Sequence, residues 1–186
     1  MQVRVLGAAA GGGFPQWNAA SDACRRARAG DPAARSATQA SIALSADGER
    51  WLVVNASPDL RAQIEATPAL HPRTGLRSSP IAAIVLTNAD IDAIAGLLHL
   101  REGTPFVIYA HPRVLKILDT NPVFDVVARN LVERRPIETE SSFDPADAKG
   151  RSLGMRIEPF LAPGKLPLYL EGGATSLDTA ALDGDT

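Results

Sequence analysis

The stretch 81-IAAIVLTNADIDAIAGLLHL-100 decides how the chain is read. Its first six residues, Ile81 to Leu86, are apolar without a break, as a strand covered on both faces must be. The period then changes. Ile91, Ile94, Ala95 and Leu98 fall on one stripe of a helix that Asp90 is placed to cap. A buried strand, a loop and a helix make up half of an α/β unit, and open α/β sheets keep their sites just past the C-terminal ends of such strands.

Working outward from that unit, the same alternation recurs. "PFVIYA" (105–110) reads as a strand and "PRVLKILDT" (112–120) as a helix with Pro112 at its first position. Upstream, "QASIAL" (39–44) and "WLVVNAS" (51–57) flank Asp47-Gly48, the turn residues of a β-hairpin. "SPDLRAQIEATPAL" (57–70) then predicts a helix with Ser57 as cap and Pro58 at the first position, stopped at Pro68. The opening "QVRVL" (2–6) alternates as a strand and meets "GAAAGGG" (7–13). A glycine-rich loop after a strand can cradle phosphate, but the GxGxxG spacing and a following GK[ST] are both absent, which favours a simple turn. The fold class that follows is α/β with an antiparallel hairpin near the start.

Two regions carry less pattern. Ala19 to Ser36 is small, charged and aperiodic, as in a surface loop or a short irregular helix. "MRIEPFLAPGKLPLYLE" (155–171) reads as two strands around "APGK", whereas the segment 172–186 has no Lys or Arg and little bulk, and is expected not to pack.

Composition bounds the function. The 186 residues, 45% hydrophobic and 22% charged, suit one soluble globular domain. A formal net charge of -2 leaves no electrostatic footprint for nucleic acid. No run approaches the ~20 apolar residues of a membrane span, so the chain reads as cytoplasmic. Its single cysteine, Cys24, cannot form an internal disulfide. Neither a serine elbow nor a Cys/His pairing nor HExxH supports nucleophilic or protease chemistry.

The candidate chemistry lies in the loop after Leu86. Asn88, Asp90 and Asp92 stand at alternate positions there, two carboxylates and an amide whose hard oxygens suit magnesium, manganese or ferrous iron better than zinc. The competing reading is that Asp90 and Asp92 cap the next helix and meet its positive end, and spacing alone favours it. His99 sits about two turns farther along that helix, too far to join Asp90, while His71 and His111 lie in or beside proline-containing turns.

"MQVRVLGAAAGGGFPQWN", "SIALSADGERWLVVNASPDLRAQIEATPALHPR", "SPIAAIVLTNADIDAIAGLLHLREG" and "NPVFDV" together resemble the coenzyme PQQ synthesis protein B family of the metallo-β-lactamase superfamily. The resemblance covers residues 1–171, taken as one metallo-β-lactamase-like domain. It implies an αββα sandwich, of which this chain carries mainly the N-terminal half. The superfamily's metal loop, HxHxDH, becomes NxDxDH in this family, which puts Asn88, Asp90 and Asp92 at ligand positions. Ala93 stands where the final histidine belongs, and a methyl group donates no lone pair. The family's cysteine cluster, "WNCNCPNC", is "WNAASDAC" here, so Cys24 remains as a metal candidate while Ala19 and Ser21 replace the other two thiols. One thiolate cannot build a closed zinc site. The resemblance therefore implies Fe(II) or Zn, weakly held or absent, and a mobile loop over Ala19 to Ser36.

Family members are substantially longer. If the chain ends at Thr186, one sheet face lacks its partner layer, and Val53, Val85 and Leu168 are expected to be exposed, favouring a homodimer or aggregation. The implied role is in pyrroloquinoline quinone (PQQ) biosynthesis, either as an iron-dependent hydroxylase of the peptide precursor or in moving PQQ or its precursor towards the periplasm. The implied partners are PQQ or that precursor and other PQQ biosynthesis proteins. The alternatives are a metal-free binding module and an inactive truncated product.

Overall fold

The computed structural model describes residues 1–162 together with Pro167 and Tyr169. Six strands, β1 (Gln2–Gly7), β2 (Ser41–Ser45), β3 (Trp51–Val54), β4 (Ile81–Leu86), β5 (Phe106–Ala110) and β6 (Val132–Pro136), form one mixed sheet in sequence order. β1 pairs antiparallel with β2, β2 and β3 form the antiparallel Asp47-Gly48 hairpin, and β3 to β6 run parallel. Asp47 fixes that hairpin: its carboxylate accepts the backbone N–H groups of Glu49 and Arg50, and Gly48 takes the positive φ of +77° that the turn requires.

Each parallel step needs a crossover. These are supplied by the helices α2 (Leu60–Glu65), α3 (Ile91–Ile94) and α4 (Pro112–Thr120), with α3 tightening into a 3₁₀ turn over Ala95–Leu100. The helices share a core with one sheet face, where Leu60, Ile94, Leu97 and Leu118 meet Trp51, Val53, Ile84, Phe106 and Ile108. Crossovers of one hand put them all on that face. The register Leu44–Leu52–Ala83–Val107 and Val54–Val85–Tyr109 defines the opposite face. Over β4 and β5 it is covered by an extended arm whose Ile137, Phe143, Leu153, Met155 and Ile157 pack on Val85, Val107 and Tyr109. Tyr109 pins the arm through its hydroxyl, which accepts the Ala146 N–H (2.9 Å) and donates to the Ala146 carbonyl (3.2 Å).

Several expectations are corrected by this arrangement. Val53 and Val85 are buried, not exposed, because Val53 faces the helices and the arm covers Val85. The bare part of the face lies farther out, over β1, where Val3 and Val5 are 48% and 69% exposed. Ile91 is exposed, so the buried stripe of its helix is carried by Ala93, Ile94 and Leu97. Ser57 does not cap α2; its hydroxyl donates to Gln63 Oε1 inside the core, and the helix begins at Leu60. Ala19 to Ser36 contains an ordinary helix, α1 (Asp22–Arg28), capped by Ser21 and tethered by Arg28, which donates to the carbonyls of Gln16 and Ala19 at 2.6 Å each. Of the two strands expected around "APGK", the first is reduced to a single bridge between Ile157 and Phe143. Apart from Pro167 and Tyr169, the second lies outside the described residues, as do Leu168 and the segment 172–186.

Candidate functional site

The loop Thr87 to Asp90 leaves the C-terminal end of β4 and is bolted to the loop that leaves β3. Asn55 N–H donates to the Val85 carbonyl (2.8 Å), and Asn55 Oδ1 accepts from both the Thr87 N–H (2.9 Å) and its hydroxyl (3.0 Å). Farther along, Ala56 N–H donates to the Ala93 carbonyl (2.7 Å) and Gly96 N–H to the Ala56 carbonyl (2.8 Å). Glycine is required at 96 because a Cβ there would stand 2.7 Å from the Ala56 oxygen and closer still to that of Ser57. Asn55 sits at φ +61°, in the left-handed region that Asn tolerates better than most residues.

Within the loop, Asn88 Oδ1 accepts the Asp90 N–H at 3.0 Å, closing an Asx turn. Asp90 holds the N-cap position with its backbone: its carbonyl accepts from Ala93 and Ile94, but its side chain makes no capping hydrogen bond. The capping reading of Asp90 thus holds for the main chain and not for the carboxylate. Tyr169 approaches the same corner, donating its hydroxyl to the Ala89 carbonyl. Burial, then the negative charge of Asp90, pushes its phenol up to about 12. Asp92 is half-buried in the first turn of α3, and the glycine-rich loop crosses it so closely that a Cβ on Gly11 would lie 3.2 Å from Asp92 Oδ2.

That glycine-rich loop is not arranged for phosphate. Gly12 N–H donates to Gln39 Oε1, Gly13 N–H to the Ala10 carbonyl and Ala9 N–H to that of Thr38, so these donors serve the chain itself. Gln39 in turn gives its backbone and side-chain N–H to Asp59 Oδ2, both at 3.0 Å. Sequence reasoning missed Asn55, Gln39, Asp59 and Tyr169 as neighbours of this corner, since each contact joins residues distant in sequence.

The donors do not assemble into a closed metal centre. Among the described residues, no group of three or more His, Cys, Asp and Glu gathers where one ion could be held. Cys24 is buried in α1, where Ser21 Oγ accepts its N–H at 3.3 Å; the Ser21 hydroxyl chiefly holds its thiol below the usual value. His111 lies at the end of β5 and caps α4 through Nδ1, which accepts the Arg113 N–H; burial, then the Arg113 charge, holds its imidazole below the usual value. Ala93 is a core residue whose methyl packs among apolar side chains. Two carboxylates and an amide therefore fit a hard, oxygen-preferring cation weakly, and they do not fit a closed zinc site.

Comparison with known proteins agrees with the fold. Residues 50–180, well over half of the chain, match the family model described as a beta-lactamase superfamily domain. Coenzyme PQQ synthesis protein B of Gluconacetobacter diazotrophicus is 60% identical over 169 residues, 91% of this chain and 55% of its own. That of Rhodopseudomonas palustris strain BisB5 is 55% identical over 187 residues, covering 100% of this chain and 60% of its own. The chain thus spans little more than half the length of the relatives it matches. A crystal structure of Zn²⁺-bound PqqB from Methylobacterium extorquens superposes with TM-score 0.86 at 52% identity, over 91% of this chain and 55% of that one. A diphosphatase of the PhnP family, 23% identical with TM-score 0.59 over 77% of this chain and 52% of its own, shares the fold. The chain belongs to the metallo-β-lactamase superfamily, and over nearly its whole length it is similar to coenzyme PQQ synthesis protein B.

Proposed function

We propose that the chain serves the biosynthesis of PQQ, using the loop Asn88 to Asp92 to engage PQQ or its peptide-derived precursor alongside other proteins of that biosynthesis. The observation that carries this reading is the likeness to PQQ synthesis protein B across nearly the whole chain. Residues 1–171 are taken as one unit. No helix among the described residues is long and apolar enough to cross a membrane, in keeping with a cytoplasmic carrier or maturation role. Asp90 and Asp92 are the donors for Fe(II) or Zn, with Asn88 third, and the missing histidine at Ala93 leaves such an ion weakly held. Cys24, buried in α1, belongs to the separate position of the family's cysteine cluster and is kept as a metal candidate there. The bare apolar face at Val3 and Val5 is a surface on which a second copy can pair.

A second reading, a metal-free binding module, is favoured by the absence of a ligand cluster among the described residues. The experiment that separates the two is elemental mass spectrometry of the monodisperse chain after loading with ferrous iron or zinc and desalting. Near one equivalent of retained metal, lost in Asp90→Ala, supports the metal site. Near none, with saturable binding of PQQ to the metal-free chain, supports the binding module; the absence of both metal binding and PQQ binding overturns the proposal.

A further inference from the structure

At the pole of the sheet opposite the Asn88–Asp92 loop, a cleft of about 560 Å³ opens beside the N-terminal ends of β4 and β5. The hairpin turn, the loop before β4 and the arm build it, and none of the residues assigned above belongs to it. Four cations line it, Arg50, Arg73, Lys149 and Arg151, against two carboxylates, Glu49 and Asp147. That excess is local, since the chain as a whole carries a net charge of -2.

The carboxylates are already committed. Asp147 is nearly buried: its Oδ1 accepts the backbone N–H groups of Lys149 and Arg151, and its Oδ2 meets Arg151 Nε at 2.7 Å and Arg50 at 3.7 Å. Arg50 also pairs with Asp47 at 3.0 Å, and Arg73 with Glu49 at 2.6 Å. A guanidinium has five N–H donors. Among the described residues, the Arg151 side chain engages a partner only through Nε, and the Lys149 ammonium makes no hydrogen bond or ion pair. Ser78 and Ser79 add hydroxyls at the rim, Ser78 accepting two backbone N–H groups and Ser79 one, and each keeps its own proton to donate. A concave site of this size with surplus charged donors matches the recognition of carboxylate or phosphate oxygens by arginine.

We propose that this cleft is a second binding site, for a small ligand bearing two or more anionic oxygen groups. It is independent of the reading of the Asn88–Asp92 loop. The test is calorimetric titration of the full, metal-free chain at low ionic strength with citrate and, separately, with inorganic pyrophosphate. The expected result is saturable one-site binding of at least one of them, weakened about tenfold or more by Lys149→Glu and by Arg151→Gln, and unchanged in Asp90→Ala. Binding of citrate alone assigns a carboxylate ligand, and of pyrophosphate alone a phosphate ligand. Lys149 is exposed, so Lys149→Glu tests the site in a folded chain, checked by an unchanged melting temperature. Absence of saturable binding by both probes, undiminished binding in Lys149→Glu, or equal loss in Asp90→Ala would overturn the assignment.

Discussion

Replacing Asn55 by alanine is the sharpest test of how the donor loop is held. Two hydrogen bonds to its Oδ1 are lost, from the Thr87 N–H at 2.9 Å and the Thr87 hydroxyl at 3.0 Å, each worth about 0.5–1.5 kcal/mol net. Alanine must also adopt φ +61°, at a cost of roughly 1–2 kcal/mol for a residue with a Cβ and no polar side chain to offset it. The sum is about 3 kcal/mol, a large part of the ~5–15 kcal/mol that stabilises an ordinary domain. Asn55→Asp keeps an acceptor at the same place and a residue that tolerates the left-handed backbone, so it should lose less than half as much. Urea unfolding of the three proteins gives the free energies, and hydrogen exchange at the Thr87 amide gives the local effect. Protection there should fall in Asn55→Ala and persist in Asn55→Asp. If Asn55→Ala lies within about 0.5 kcal/mol of the parent, the size expected of a neutral surface change, the loop is held by other contacts and the reasoning fails.

Three further outcomes are expected. Gly96→Ala should lower the melting temperature steeply, with a loss of about 3 kcal/mol or more as backbone moves away from the Ala56 and Ser57 carbonyls; an unchanged melt would show that the close approach is not needed. Tyr109→Phe removes the hydroxyl bonded to both backbone groups of Ala146, so the arm should loosen, at about 1–3 kcal/mol, and the dye 1-anilinonaphthalene-8-sulfonate should bind more strongly. A chain with unaltered stability and dye binding would mean that Phe143, Leu153 and Ile157 alone secure it. The backbone N–H of Arg50, chiefly, holds Asp47 well below the usual carboxylate range, and Asp147 is lowered too although burial opposes its charge. Depressed carboxylates add stability above their unfolded value near pH ~3.9, and it is lost as the pH falls through the folded ones. Melting temperatures measured down from pH 6 should therefore hold until about pH 4 and then drop, whereas Asp47→Asn should flatten part of that drop.

Much of the fold could be read from local pattern. The unbroken Ile81 to Leu86 run became the strand with every residue buried, and Asp47-Gly48 became the hairpin turn. What escaped reading was β6, because "VERRP" looks like surface. It is an edge strand, where charge is tolerated, and its arginines are used sideways: Arg134 pairs with Asp119 and Arg135 lies over the Tyr109 ring. The arm was equally hidden. Phe143, Leu153 and Ile157 are spaced by turns rather than by a helical or strand period, so only the folded chain reveals that they cover one face of β4 and β5.

The candidate site divides along the same line. Its expected place, past the C-terminal end of a buried parallel strand, could be read from pattern; Asn88 and Asp90 stand in that loop, and Asp92 stands in the first turn of α3. Whether their oxygens converge was not legible, since that depends on what else claims them. Asn88 spends its oxygen on the Asp90 N–H, and Asp92 lies against the glycine-rich loop. Ala93 argues the same way from the other side. Its methyl group packs in the helix-side core, and its carbonyl receives the Ala56 N–H that ties the two loops together. A histidine introduced at 93 must therefore swing its ring out of that core before it can reach an ion. Ala93→His should raise retained iron only if the helix start tolerates the larger side chain. Higher retained iron with an unchanged melting temperature would show that the loop remains a metal site lacking one ligand. Lost stability with no added iron would show that the core has closed over the vacant position.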